Sequence, residues 1–230
     1  MASYEYGTYF KIIRRIGRII LPKLRLEHLP EQKEATVYVS HHNNMFGPVS
    51  VLCWFPDFIR PWVFSPFLDQ EACYNQYVNY TFTERFGLPM WLAKPIAWLA
   101  SYAVSSLMQS LRSIPVYRQS RKIVHTFRES IATLKDNQAI IIFPNIDYEV
   151  ESQEVGELYE GFLNLDKYYY KDTGQHIQFV PLYANRETRE ILHGDALAFN
   201  DTVEFKQQRS QMATELAEQL NVLARSSLDE

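Results

Sequence analysis

Short apolar runs of strand length alternate along this chain with segments long enough for helices, and that alternation restricts it to an α/β fold. The clearest runs are residues 35–39, 139–143 and 178–182, rich in β-branched and apolar side chains and bounded by polar or turn-forming residues, as buried strands are. Weaker strand signals fall near 62–65, at 114 and near 190–193. Helices are expected over 9–21, from about 46, across 69–111, over 120–134, over 159–170 and over 203–224, with Thr173-Gly174 as a helix stop. The order argues for a mixed central sheet flanked by helices. No repeat, low-complexity tract or linker interrupts it, so the expected organisation is an amphipathic N-terminal helix within residues 1–30 and one α/β domain over 31–230, large enough for a full core.

The first strand runs into Val39-Ser40-His41-His42-Asn43-Asn44-Met45-Phe46-Gly47-Pro48, a polar turn that carries two imidazoles before an apolar, helix-length stretch resumes. His41 and His42 then stand at the lip between a strand and a helix, where an open α/β sheet binds its ligands. The alternative is that the pair merely bonds backbone groups in a tight turn.

Four blocks in this order resemble the glycerolipid acyltransferase superfamily, whose members move a fatty acyl group from a thioester to a lysophospholipid or glycerol phosphate. Residues 41–48 align with the family's Asn-His-x-Ser-x-x-Asp-Pro signature. Ser113-Ile114-Pro115-Val116-Tyr117-Arg118 stands for its second block, and Phe143-Pro144-Asn145-Ile146-Asp147-Tyr148 for its Phe-Pro-Glu-Gly-Thr-Arg block. Phe179-Val180-Pro181-Leu182-Tyr183 is its Val-Pro strand; with Gly161 and His193-Gly194-Asp195 the likeness covers roughly residues 33–225. The resemblance implies an acyltransferase-type α/β fold and direct transfer without a covalent enzyme intermediate. It makes His42 the general base and puts the oxyanion against backbone amides at the start of the following helix. It implies no cofactor, with acyl-coenzyme A or acyl carrier protein as co-substrate. His41, Asn43, Asn44, Phe143, Pro144 and Asn145 would line the substrate site, and Arg118, Arg121 and Lys122 would hold a phosphate of the acceptor or of coenzyme A.

The departures fall on the chemistry. The family's aspartate, five residues after the histidine, holds the imidazole by its other nitrogen, and here that position is Gly47. In the serine-protease version of such a pair, losing the acid costs about four orders of magnitude. Asn43, Asn44 or Asp147 is left to take the role. The third block has also lost the glutamate and arginine that bind the acceptor in the family. Between Asn145 and Asp166 the chain carries Asp147, Glu149, Glu151, Glu154, Glu157, Glu160 and Asp166 with no lysine or arginine. Were that run to line the cleft, it would repel a phosphomonoester and favour a neutral or amine-bearing acceptor; the other reading is a solvated face. The expectation is therefore transfer to a hydroxyl acceptor, a lysophospholipid, a glycerol derivative or another small polar molecule. The alternatives are a non-catalytic member that binds lipid or acyl donor, and an N-acyltransferase or thioesterase on the same fold.

The formal charge of −4 is ordinary, but Lys11, Arg14, Arg15, Arg18, Lys23 and Arg25 interleave with Phe10, Ile12, Ile13, Ile16, Ile19 and Ile20 in a stretch whose first acid is Glu27. Apolar residues at 9, 12, 13, 16, 19 and 20 share one helical face, as in a helix lying on an anionic bilayer through residues 9–25; the alternative is a helix docked on its own domain. The apolar segment 95–108 falls short of the roughly twenty residues of a span. It is expected to be a helix with one face in the core and the other toward lipid or an acyl tunnel, with Trp91, Trp98 and Tyr102 at the interface. There is no signal-peptide pattern, and Cys53 and Cys73 have neither metal nor redox spacing, so they are expected to be packing residues in a reduced, cytoplasmic setting at the inner face of the membrane. No metal site, nucleotide fingerprint or nucleic-acid patch is expected.

Overall fold

In the computed structural model, which describes residues 5–26, 29, 34–118, 120–146 and 152–226, helices and strands alternate as expected. In chain order they are α1 (Thr8–Ile20), β1 (Arg25–Leu26), β2 (Thr36–Ser40), α2 (Phe46–Trp54), β3 (Ile59–Phe64), a 3-10 turn (Ser65–Leu68), α3 (Gln70–Gln76), a π-helical stretch (Tyr77–Arg85) and α4 (Met90–Ser110). Then come β4 (Ile114–Val116), α5 (Ile123–Lys135), β5 (Ala139–Ile142), a 3-10 turn (Glu160–Leu163), α6 (Asn164–Thr173), β6 (Gln178–Asn185), β7 (Glu190–His193) and α7 (Phe205–Arg225). The fold class is α/β with a mixed sheet. Two boundaries differ usefully from expectation. The long helical segment after residue 69 breaks at Gly87, whose φ of 66° no helix accommodates, and the aromatic helix begins as a 3-10 turn. Gly174, at φ 72°, caps α6 where the sequence placed its stop.

The chain divides into two compact units. The first comprises Arg60–Thr126 with the residues up to Ile13, and the second comprises Arg14–Ile59 with Phe127 onward. In the first, β3 and β4 pair in parallel, Trp62 opposite Ile114. There α4 buries its small residues, Ala93, Ala97, Ser101 and Ser105, with Gln70 of α3 donating to the Ser101 hydroxyl at 3.0 Å. The thiol of Cys73 is buried in this unit and pushed up to about 11 by loss of hydration, as for a packing residue.

In the second unit the strand order is β1-β7-β6-β2-β5, parallel except for the antiparallel pair β6 and β7. Every residue of β2 is buried, which explains its unbroken apolar run: a parallel strand covered on both faces has no solvent side to alternate toward. Tyr38, Val51, Phe55, Ile59, Ile141, Leu182 and Ile191 form the centre of this core. The arginines of α1 point where the amphipathic pattern did not place them. Arg14 donates to the carbonyls of Cys53 (3.0 Å) and Phe55, and Arg18 to that of Cys53 (2.8 Å), so they satisfy the carbonyls that end α2.

Candidate active site

Strands β2, β5 and β6 run in parallel, so the segments that follow them emerge at one edge of the sheet. That edge is where open α/β sheets bind ligands. Residues 41–45 follow β2, Phe143, Pro144 and Asn145 follow β5, and Arg186 follows β6.

The turn after β2 is built by its asparagines. Asn43 and Asn44 have φ of 40° and 55°, the left-handed region that asparagine tolerates better than other non-glycine residues, and two such steps swing the chain from strand into α2. The amides of Phe46, Gly47 and Val49 then donate to the carbonyls of Asn43 (3.1 Å), His42 (3.2 Å) and Met45 (3.1 Å), and Pro48 has no amide hydrogen. The amides at the start of α2 are thus committed within the turn.

Gly47 is held by contact. A Cβ there would lie 2.0 Å from the His41 carbonyl oxygen and 3.0 Å from that of His42. The position that bears the orienting aspartate in the resembled family therefore has no room for any side chain here.

The two histidines divide their work. His41 is 5% exposed, and its Nε2–H donates to the Ser152 carbonyl at 2.8 Å while its ring lies parallel to Tyr183, 5.9 Å between centroids. That bond assigns the proton of the neutral ring to Nε2; Nδ1 is buried with no hydrogen bond among the described residues. His42 is half-buried, its ring edge-on to Phe143 at 5.9 Å and its backbone amide donating to Asn145 Oδ1 at 2.7 Å. Asn145, 7% exposed, thereby clamps the third block to the first. Asn43 Oδ1 accepts the Ser152 amide at 3.2 Å, so it secures the chain within the acidic run. The Tyr183 hydroxyl donates to the Gln153 carbonyl at 2.9 Å, and burial first, then nearby Glu187, pushes that phenol up to about 12. It remains a donor at neutral pH.

The remaining expected residues lie as follows. The Pro144 carbonyl accepts the Tyr159 amide at 2.8 Å, and Asn44 is exposed on the turn. Asp147 lies outside the described residues, as do Glu149 and Glu151. Arg118, Arg121 and Lys122 belong to the first unit, where the Arg118 guanidinium sits over the Phe64 ring at 5.3 Å and the other two are exposed ahead of α5. The structure thus gathers His41, His42, Asn43, Asn44, Phe143, Pro144 and Asn145 at one strand edge. It adds Arg186, which the sequence reading missed: this exposed guanidinium lies 5.5 Å over the ring of Phe46, at the first residue of α2. A basic residue directly after a buried parallel strand was the available signal.

No family profile matches the chain, and no curated protein matches its sequence. The structure does superpose on the crystal structure of the 1-acyl-sn-glycerophosphate acyltransferase PlsC from Thermotoga maritima, with a TM-score of 0.53 and 12% identity, over 95% of this chain and 80% of that one. The two chains share their fold. At that identity the likeness speaks for architecture alone, and what each residue does must come from the site.

Three of the described acids of the run have partners in the second unit. Glu154 pairs with Arg225 at 3.5 Å, and Glu160 with Arg209 at 3.2 Å. Asp166 is buried, accepting from the Ile177 amide (2.8 Å) and His176 (2.9 Å). These groups stabilise the second unit's own surface and core.

Proposed function

We propose that this chain is an acyltransferase that moves a fatty acyl group from a thioester, of coenzyme A or of acyl carrier protein, to the hydroxyl of a lysophospholipid, a glycerol derivative or another small polar acceptor. The observation that carries this reading is the position of His42, half-open at the carboxyl edge of three parallel strands and fixed through its backbone amide by Asn145 in a fold that an acyltransferase shares. His42 takes the proton from the acceptor hydroxyl as its oxygen attacks the thioester carbonyl. The tetrahedral intermediate then collapses with cleavage of the carbon–sulfur bond, and the imidazolium returns the proton to the departing thiolate. Phe143 limits the imidazole's rotation, and His41 and Asn43 secure the chain at Ser152. Arg186 is the cation for a substrate phosphate at this edge. Asp147 is the proposed orienting acid, because Gly47 offers none. The setting is the cytoplasmic face of a membrane.

Mass spectrometry of purified protein and a His42→Gln variant, each with long-chain acyl-coenzyme A or acyl carrier protein and a panel of lysophospholipids, glycerol derivatives and amines, tests this. An acylated product formed by the wild type and lost in the variant supports the reading, and free acid without product assigns hydrolysis instead. The closed space at Gly47 favours one second reading, a non-catalytic member that binds lipid or acyl donor. Binding without turnover in either protein would establish it.

A further inference from the structure

The second unit also holds a cavity of about 240 Å³, at the end of the sheet opposite the candidate active site. His176 lines it just before β6 begins at Gln178, whereas Arg186 follows the last residue of that strand. The 8 residues of β6 separate the two ends, about 26 Å of extended chain. The floor of the cavity is buried, with Phe199 4% exposed and Asp166 1%. Its walls are aromatic: Phe199 and Phe205 stack at 4.7 Å, and the Tyr170 ring lies over the His176 imidazole at 4.4 Å. Lys167, Asp201 and Val203 are exposed at the rim. Asp166 accepts from the Ile177 amide at 2.8 Å and from His176 Nδ1 at 2.9 Å, which puts the proton of the neutral imidazole on Nδ1 and leaves a lone pair on Nε2. Nε2 is buried and has no hydrogen bond among the described residues. It faces Asp201 Oδ1 at 3.7 Å, while the other oxygen of that carboxylate accepts from the Tyr170 hydroxyl at 3.0 Å. Two acceptors thus stand opposite each other, and a donor that reaches both satisfies the buried nitrogen.

We infer that this cavity binds a small primary amine with an apolar, ring-sized body, its ammonium bonded to His176 Nε2 and Asp201 and its body packed against Phe199 and Phe205. Three features select an ammonium. It carries three N–H donors and no acceptor, which is what two facing acceptors require. The Asp201 carboxylate supplies its countercharge, and charge-assisted bonds of this kind are the strong ones. The Phe205 ring also carries a cation already, Lys167 Nζ lying 5.9 Å over it, so the aromatic wall is a face on which positive charge is held. The apolar body follows from the stacked phenylalanines and from Val203, which leave the rest of the lining without matching polar groups for a sugar or a phosphate. A ligand at the amino end of β6 is too far from His42 to be its acceptor. The inference therefore stands apart from turnover at that residue and is read from binding alone.

The test is an amide NMR titration of the full chain with 2-phenylethylamine, and with 2-phenylethanol and phenylacetate as its neutral and anionic counterparts. The amine should bind saturably and shift the amides of residues 166–177 and 199–208 while leaving those of residues 41–45 in place. The alcohol and the acid should bind at least about tenfold more weakly, having lost the charge-assisted bonds. Asp201→Asn, an exposed change that keeps an oxygen for the Tyr170 hydroxyl, should weaken the amine about tenfold and leave the alcohol unaffected. Lys167→Ala removes the cation that competes for the Phe205 ring and should tighten the amine several-fold. Absence of a saturable shift up to about 10 mM amine, equal affinity for the alcohol, an Asp201→Asn protein that binds like the wild type, a Lys167→Ala protein that binds more weakly, or shifts confined to residues 41–45 would overturn the inference. So would nitrogen chemical shifts showing His176 protonated on both ring nitrogens in the free protein at neutral pH, because the imidazolium would then supply Asp201 with a donor of its own.

Discussion

Replacing Gly47 with alanine places a methyl carbon 2.0 Å from the carbonyl oxygen of His41, well inside the distance at which carbon and oxygen touch, and 3.0 Å from that of His42. Neither obstacle is the movable end of a side chain. Both are backbone atoms of a turn tied down by the Gly47 amide on the His42 carbonyl, at 3.2 Å, and by Asn145 on the His42 amide, at 2.7 Å. Relief therefore requires the turn to open and at least one of those bonds to stretch, so overpacking and a lost buried hydrogen bond add to a destabilisation of about 3 kcal/mol. For a chain of this size that lowers Tm by roughly 6–12 °C. Gly156→Ala is the internal control: nothing lies within 4 Å of its Cβ and the site is exposed, so Tm should hold to within about 2 °C. Gly47→Asp, which restores the family's acid on paper, should be at least as unstable as Gly47→Ala and should gain no activity. The assay is thermal unfolding followed by circular dichroism, with denaturant midpoints to confirm an unchanged m-value. A Gly47→Asp protein as stable as the wild type and faster in turnover would refute the reasoning, since it would show that the turn relaxes freely and that the missing acid was only a substitution away.

His42→Gln should lower kcat by about 10²- to 10⁴-fold with little change in Tm, the range for removing a general base; His41→Ala should instead lower stability, because it strips the Ser152 carbonyl of its buried donor. Asn145→Ala should cost about 1–3 kcal/mol in chemical denaturation, the penalty of leaving the partly buried His42 amide unsatisfied. Burial raises the Cys73 thiol from 9.0 to about 11, so the neutral thiol's contribution is complete below pH 9 and lost as pH climbs through 11; stability measured across that interval should fall, and Cys73→Ala should flatten part of the slope. Arg186→Gln, exposed over Phe46, should raise KM for a phosphate-bearing acceptor or donor several-fold while sparing Tm, and an unchanged KM would remove Arg186 from the substrate site.

What could be read from the sequence was what a single stretch of chain decides by itself. The run 35–39 reports its burial on both faces, so β2 was legible, and the αL glycine after α6 announced that helix's end. The two-residue β1 was not legible, because its existence depends on β7: Arg25 pairs in register with Glu190 and neutralises that fully buried carboxylate, a partner 165 positions away. The same limit governs the site. His42 was visible as a polar residue at a strand end, but the functions of Asn43 and Asn145 were not, since each is set by a backbone group far along the chain. Amphipathic periodicity was legible only in part. It located the apolar faces of α1 and α4 correctly, yet hydrophobicity alone does not say which face meets protein. In α1 the carbonyls left open by the end of α2 hold Arg14 and Arg18, a demand set by another helix and not by the pattern of α1 itself. In α4 the small residues took the inner face because close helix contact needs small side chains.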